Sequence, residues 1–242
     1  MARDTFDLLL LLGRPASGKS EIIDYLQRVE PDTRRRRFHV GAPIVLDDFP
    51  MLWAWLEEDA VLARMGKDLL HTTADGYFSR EYFWHVLVRR LCLEYDKVAV
   101  AERSGTGAGT AIIEFSRGSE HGGYHAAFDH LSDAVLDAAA ALYVKVSFDE
   151  SLRKNRRRFN PARPHSILEH GLPDDKMERL YRRDDWDEMD RDASGRLLVG
   201  ARKIAAVTFE NEDDVTTPRG DALGARLEEA TGRLWALREN DR

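Results

Sequence analysis

Gly13-Arg14-Pro15-Ala16-Ser17-Gly18-Lys19-Ser20 sets two glycines, a lysine and a hydroxyl at the spacing G-x-x-x-x-G-K-[ST], behind the apolar run Phe6–Leu12 and ahead of a helix-compatible segment. That pattern can cradle a polyphosphate. Gly13 and Gly18 let the backbone curl until its N–H groups face an anion. The first turn of the following helix adds its partial positive charge, so the stretch from Gly13 through Arg14, Pro15, Ala16 and Ser17 to Glu21 is expected to wrap the phosphates. Lys19 would reach the β- and γ-phosphates, and the Ser20 hydroxyl would hold Mg²⁺. A plain strand-to-helix turn has no use for Lys-Ser at those positions. The expectation is a protein that binds a nucleoside triphosphate.

The elements that must position this loop alternate between strand and helix. Phe6–Leu12 reads as a buried parallel strand and Lys19–Val29 as the helix leaving the loop, ended by Glu30-Pro31. The basic run Arg34–Arg37 leads into a second strand candidate, Phe38–Leu46, closed by Asp47-Asp48. Pro50–Met65 and Ser79–Tyr95 read as helices. Two apolar segments follow, Val98–Ala101 and Ala111–Phe115, each carrying a glutamate at or near its end and separated by the glycine-rich Ser104–Gly109. Glycines at alternating positions there indicate a loop rather than a second nucleotide site. Tyr124–Ala141 reads as helix, Leu142–Phe148 as strand, Asp149–Phe159 as an arginine-loaded helix, and Lys176–Arg191 as a charged surface helix. Ile204–Phe209 and Leu223–Arg238 supply the last strand and a closing helix. The fold class is therefore α/β: a three-layer, mostly parallel five-stranded sheet flanked by helices, in one domain over residues 1–242, with the ligand at the strands' carboxyl ends.

Bulk properties narrow the partners. The 242 residues are 43% apolar, enough for a real core, and the balance of 36 basic against 43 acidic residues gives −7, which argues against nucleic acid as a partner. The single cysteine, Cys92, excludes an internal disulfide and fits a reducing cytoplasm. Leu8–Leu12 is too short to span a membrane and follows Asp4 and Asp7, so neither an anchor nor a signal peptide is expected. His121, His125 and His130 lack metal spacing, since Gly122-Gly123 interrupts the helix face; no zinc site is expected. The tryptophan-bearing helix and Ser79–Tyr95 are candidate homodimer surfaces.

With these motifs in order, the chain resembles the P-loop kinases that phosphorylate nucleosides and nucleotides, over most of its length. The resemblance implies a P-loop kinase fold and, residue by residue, a set of roles. Asp48, followed by Trp53, is similar to the acid-x4-Trp pattern of deoxynucleoside kinases, where the acid takes a proton from, or orients, the acceptor hydroxyl. Asp47-Asp48-Phe49-Pro50 also reads as a helix cap, and a cap and a ligand are not exclusive. Either Trp53 or Trp55 would line the acceptor pocket. The magnesium-side acid is Glu102, in Glu102-Arg103-Ser104, or Glu114, in Glu114-Phe115-Ser116-Arg117. The stretch from Arg117 to Leu142 suits one crossover helix, which favours Glu114, with Arg117 as a phosphate clamp. The sequence departs from the deoxynucleoside kinases in lacking an acid soon after Glu-Arg-Ser.

Arg153, Lys154, Arg156, Arg157, Arg158 and Arg163 resemble an arginine-rich lid, within a lid region of about 149–192. Arg153 and Arg157, four apart, share a face that would meet phosphate, while Arg156 and Arg158 point elsewhere. Thr208–Asp214 is similar to the adenine-side loop. The function expected is an ATP- and Mg²⁺-dependent phosphotransferase acting on a small acceptor, a nucleoside or nucleoside monophosphate. The rivals are another hydroxyl compound, a polynucleotide end, or a nucleotide-binding switch with no acceptor; the chain has no guanine-reading Asn-Lys-x-Asp segment.

Overall fold

The computed structural model describes residues 4–104, 109–158 and 171–239. Leu8–Leu12 is apolar at every position, a pattern that suits a strand covered on both faces. That strand, β1 (Leu8–Gly13), is buried throughout its length. It lies between β3 (Gly109–Phe115) and β4 (Ala139–Lys145), with β2 (Ala42–Asp47) beyond β3 and β6 (Arg202–Glu210) beyond β4. These five strands are parallel; β5 (Leu197–Val199) adds an antiparallel edge against β6, giving the order β2-β3-β1-β4-β6-β5. Gly41 and Pro43 are tolerated in the second strand segment because β2 is an edge strand.

The pleat divides the leucines of β1 between two cores. Leu8, Leu10 and Leu12 pack with Ile113, Tyr143 and Trp186 on one face, under α4 (Tyr82–Ser104), α5 (Gly123–Asp129) and α6 (Asp133–Ala138). Leu9 and Leu11 pack with Ile112, Leu142 and Val207 on the other, under α1 (Lys19–Arg28) and α9 (Asp221–Glu239). The remaining helices are α2 (Pro31–Phe38), α3 (Phe49–Arg64), α7 (Phe148–Arg158) and α8 (Asp174–Tyr181).

Several expectations are corrected. Val98–Ala101 is helical, the end of α4, so Glu102 stands in a helix rather than at a strand end. A short Ala/Val run can serve either structure, and here the helix begun at Tyr82 continues through it. The Arg34–Arg37 run is itself helical: Pro31 opens α2, and the Glu30 carboxylate accepts from the amides of Asp32 and Thr33. Tyr124–Ala141 is two short helices, the second capped by Ser132, and the chain is already extended at Ala139. Lys176–Arg191 is helical only to Tyr181 before a single 3₁₀ turn, Trp186–Glu188. The β5–β6 hairpin makes six strands rather than five.

No described helix is long and apolar enough to cross a membrane.

Candidate functional site

The loop between β1 and α1 is shaped by its glycines. Gly13 and Gly18 have φ of 146° and 114°. A Cβ on Gly13 would stand 2.5 Å from the Val144 carbonyl oxygen, and one on Gly18 would stand 2.5 Å from Thr216 Oγ1. Only glycine lets neighbouring chain approach so closely. The loop is held from three sides. The Gly13 amide donates to the Tyr124 hydroxyl at 3.1 Å, Asn211 Nδ2 donates to the Ser17 carbonyl at 2.7 Å, and Ser151 Oγ donates to the Pro15 carbonyl at 2.7 Å. Arg14 turns away, donating to the carbonyls of Val146, Tyr181 and Arg182 and pairing with Asp184 at 2.9 Å. Its role is to tie the loop to the C-terminal end of α8. The Ser17 side chain is fully buried.

Pro15, Ala16, Gly18, Lys19, Ser20 and Glu21 line a cavity of about 820 Å³ that runs along the carboxyl edge of the sheet. Lys19 is buried, and its ammonium donates to the carbonyls of Gly13 and Arg14 and to Ser116 Oγ at 3.1, 2.9 and 2.9 Å. Burial lowers its pKa, against the opposing pull of Glu114, whose carboxylate lies 3.9 Å away.

Glu114 reaches this point because β2, β3 and β1 are in register, Asp47 opposite Glu114 and Glu114 opposite Leu11. Asp47, Asp48 and Glu114 therefore stand together on the cavity wall. Burial, opposed by Lys19 and reinforced by the two aspartates, raises the Glu114 carboxyl to about 7. Asp47 opens to the cavity; its enclosing walls and the adjacent Asp48 charge raise it to about 6. Arg158 is the further cation whose charge acts on Lys19, Asp47 and Glu114.

The two aspartates divide the work left open in the sequence. Asp47 Oδ1 accepts from the Phe49 amide at 3.0 Å, as a helix-capping carboxylate does. The Asp48 side chain makes no cap; it pairs with Arg117 at 2.8 Å, both side chains being buried. The guanidinium of Arg117 also donates to the Ser116 and Trp84 carbonyls and lies over the rings of Trp84 and Phe115 at 5.3 and 5.1 Å. Arg117 is thus spoken for by protein groups while still forming part of the cavity wall.

On the helical side, Arg157 and Arg158 line the cavity, while Arg153 binds Glu150 and Asp214 outside it. Arg156 pairs with Asp174, and Arg157 lies 3.9 Å from Asp214. Lys154 is buried and bridges Asp214 and Thr216, which fastens α7 to the loop after β6. The i,i+4 spacing identified a shared face, but the identity of the inward face depended on where α7 docks. Arg163 and Gly105–Ala108 lie outside the described residues, and Glu102 is placed only as part of α4.

The cavity wall also carries aromatic side chains: Phe49, Tyr77, Phe78, Trp84 and Phe115 line it. Neither Trp53 nor Trp55 does. Trp53 Nε1 donates to Glu57, and Trp55 stacks on His71 at 5.0 Å within a cluster that includes Phe78 and Phe83. Arg34 is buried, donating to the carbonyls of Gly41, Leu26 and Val29, so it braces α2 rather than reaching a ligand. Sequence reasoning missed Ser116, Tyr124 and Asn211. Ser116 sat inside a motif already noticed, and Asn211 inside the Thr208–Asp214 loop read as the adenine side, where its bond to the Ser17 carbonyl was not foreseen; Tyr124 carried no local signal.

No family model matches the chain, and no curated protein sequence matches it. Among solved structures, similarity is found to a sugar kinase from Janibacter sp. HTCC2649, at 11% identity and a TM-score of 0.45, covering 94% of this chain and 98% of that one. It is also found to a candidate kinase from Chloroflexus aurantiacus j-10-fl, at 16% identity and a TM-score of 0.40, covering 96% and 97%.

Proposed function

We propose that this chain is an ATP- and Mg²⁺-dependent phosphotransferase that moves the γ-phosphoryl group of ATP to a small acceptor, a nucleoside or nucleoside monophosphate. One observation carries the reading. A single cavity of about 820 Å³ is lined by the glycine-shaped loop and Lys19, by aromatic side chains, and by Asp47, Asp48 and Glu114. That volume suits a nucleotide and a small acceptor held together.

The loop amides and the N-terminus of α1 would hold the triphosphate, and Lys19 would neutralise charge on the transferring group. Lys19 is held by two loop carbonyls and Ser116, so its ammonium is already placed before a ligand arrives. The donor set fits magnesium: Ser20 and Glu114 supply hard oxygens on the cavity wall, and Mg²⁺ takes one or two protein oxygens, with substrate phosphates and water completing the shell. Bound Mg²⁺ would supply charge neutralisation between the phosphates. Asp48, fixed by Arg117, would orient the acceptor hydroxyl, and Asp47 beside it would take the proton. Arg157 and Arg158 would stabilise charge on the equatorial oxygens and help to exclude water.

The test is ADP release from ATP and Mg²⁺, screened against nucleosides, nucleoside monophosphates, sugars and other small hydroxyl compounds, with Lys19→Ala as control. Stimulation by one class, lost in the variant, is expected. Slow hydrolysis indifferent to every acceptor would overturn the transferase reading in favour of a nucleotide switch.

A further inference from the structure

His121 closes the 3₁₀ turn Ser119–His121 that follows β3 and Arg117. It is 1% exposed, yet it forms part of the cavity wall. Its ring stacks on Trp84 at 3.8 Å and 22°, and meets Tyr181 edge-on at 5.2 Å. The Gly118 amide donates to His121 Nδ1 at 3.3 Å. A nitrogen that accepts cannot carry the proton, so the hydrogen of the neutral ring sits on Nε2. Burial, helped by the nearby Arg117 charge, keeps the ring neutral by lowering its pKa well below the ordinary value.

Among the described residues, Nε2 has no hydrogen-bond partner. A buried donor left unpaired is costly, and a protein that retains one beside a ligand-sized cavity has reason to satisfy it with the ligand. The other histidines with an unpartnered buried nitrogen, His71, His85 and His130, are not part of the cavity wall. Among the described residues, only His121 combines an unpartnered buried donor with a place in the cavity wall.

We propose that His121 is a specificity-determining residue for the acceptor: its Nε2–H donates to a carbonyl oxygen or unprotonated ring nitrogen of a planar heterocyclic acceptor lying among Trp84, Phe78 and Phe49. This rests on the phosphotransferase reading and deepens it by naming the recognised group. An acceptor that offers only hydroxyls on a saturated ring would present no planar face to the aromatic walls. A site built around a buried donor rejects analogues that lack the matching acceptor atom, because the donor is then left unpaired.

The experiment uses two variants with ribonucleosides as probes. His121→Phe keeps a flat ring against Trp84 and removes the donor; His121→Gln restores an N–H at a similar reach. Expected in His121→Phe is an acceptor KM raised tenfold or more with KM for ATP unchanged, and substantial rescue in His121→Gln. An unchanged acceptor KM in a folded His121→Phe protein would overturn the inference. A second readout does not depend on turnover. In protein labelled with ¹⁵N at histidine, the His121 Nε2–H resonance should shift when a ribonucleoside binds. If a ribonucleoside binds and leaves that resonance unmoved, the inference fails even where transfer is seen. If it shifts but ADP release is not stimulated, the failure belongs to the phosphotransferase reading alone. Absence of ribonucleoside binding altogether would overturn the heterocycle assignment.

Discussion

Lys19 and the pair Asp48–Arg117 are held by different means, and their substitutions should fail differently. The Lys19 ammonium is satisfied by neutral oxygens at 2.9–3.1 Å and stands 3.9 Å from Glu114. Lys19→Ala should keep the fold while reducing transfer about a hundred- to a thousandfold, the scale of losing one preorganised charge-stabilising donor. Steady-state rates alongside a melting curve will check this. Asp48 and Arg117 are a buried pair, and removing one charge strands the other at a cost of about 3–5 kcal/mol. Asp48→Asn should therefore lose both activity and stability in urea denaturation. Adding Arg117→Met to it should recover stability but not transfer, because an orienting carboxylate is then still missing. Recovery of activity in that double variant would remove Asp48 from the acceptor site.

At the scale of elements, the wall between α3 and α4 hangs on one carboxylate. Asp59, 3% exposed on α3, accepts from the Thr72 hydroxyl at 2.7 Å and from the amides of Leu70, His71 and Thr72 at 2.6–3.3 Å. Burial alone would raise its pKa, but the Thr72 hydroxyl and those amides outweigh it and hold it below the usual 3.8. A depressed folded value means that the charged form stabilises the native state. The contribution is complete above about pH 4 and is lost as pH falls through the folded value. The segment 70–78, which brings Tyr77 and Phe78 to the cavity, should loosen on acidification before the central sheet does. Hydrogen exchange of the Leu70–Thr72 amides will report it, and equal protection at neutral and acid pH would contradict it. Asp59→Ala should cost about 2–3 kcal/mol by leaving buried amides unpaired.

Across the whole molecule, the ligand edge is a product of sheet order. Placing β1 between β3 and β4 puts Gly13, Glu114 and the start of α7 on one rim, and Lys154 and Asn211 then lock α7 and the post-β6 loop onto the loop between β1 and α1. A nucleotide bound there, as the proposed function requires, would touch segments from both ends of the chain. ATP with Mg²⁺ at a hundred times its Kd should therefore stabilise the fold by about 2.7 kcal/mol. For a chain of this size that is a Tm increase of about 5–10 °C. Differential scanning calorimetry will show it, and Lys19→Ala should lose most of the shift.

The sequence by itself determined the unit whose parts are neighbours in the chain: the apolar strand Leu8–Leu12, the glycine-shaped loop and the helix begun by Lys19. Each part depends on local backbone geometry and an unbroken hydrophobic run, which a reader can see without knowing what lies alongside. The general α/β alternation was legible for the same reason. Tertiary structure alone decided which glutamate stands beside Lys19, because Val98–Ala101 could serve helix or strand and only pairing with β1 and β2 selects Glu114. It likewise turned Arg158 rather than Arg153 toward the acids, tied Asp48 to Arg117, and set His121 against Trp84. These relations join residues distant in the chain, or depend on how a helix docks, and spacing along the chain cannot encode the rotation of a helix on a sheet.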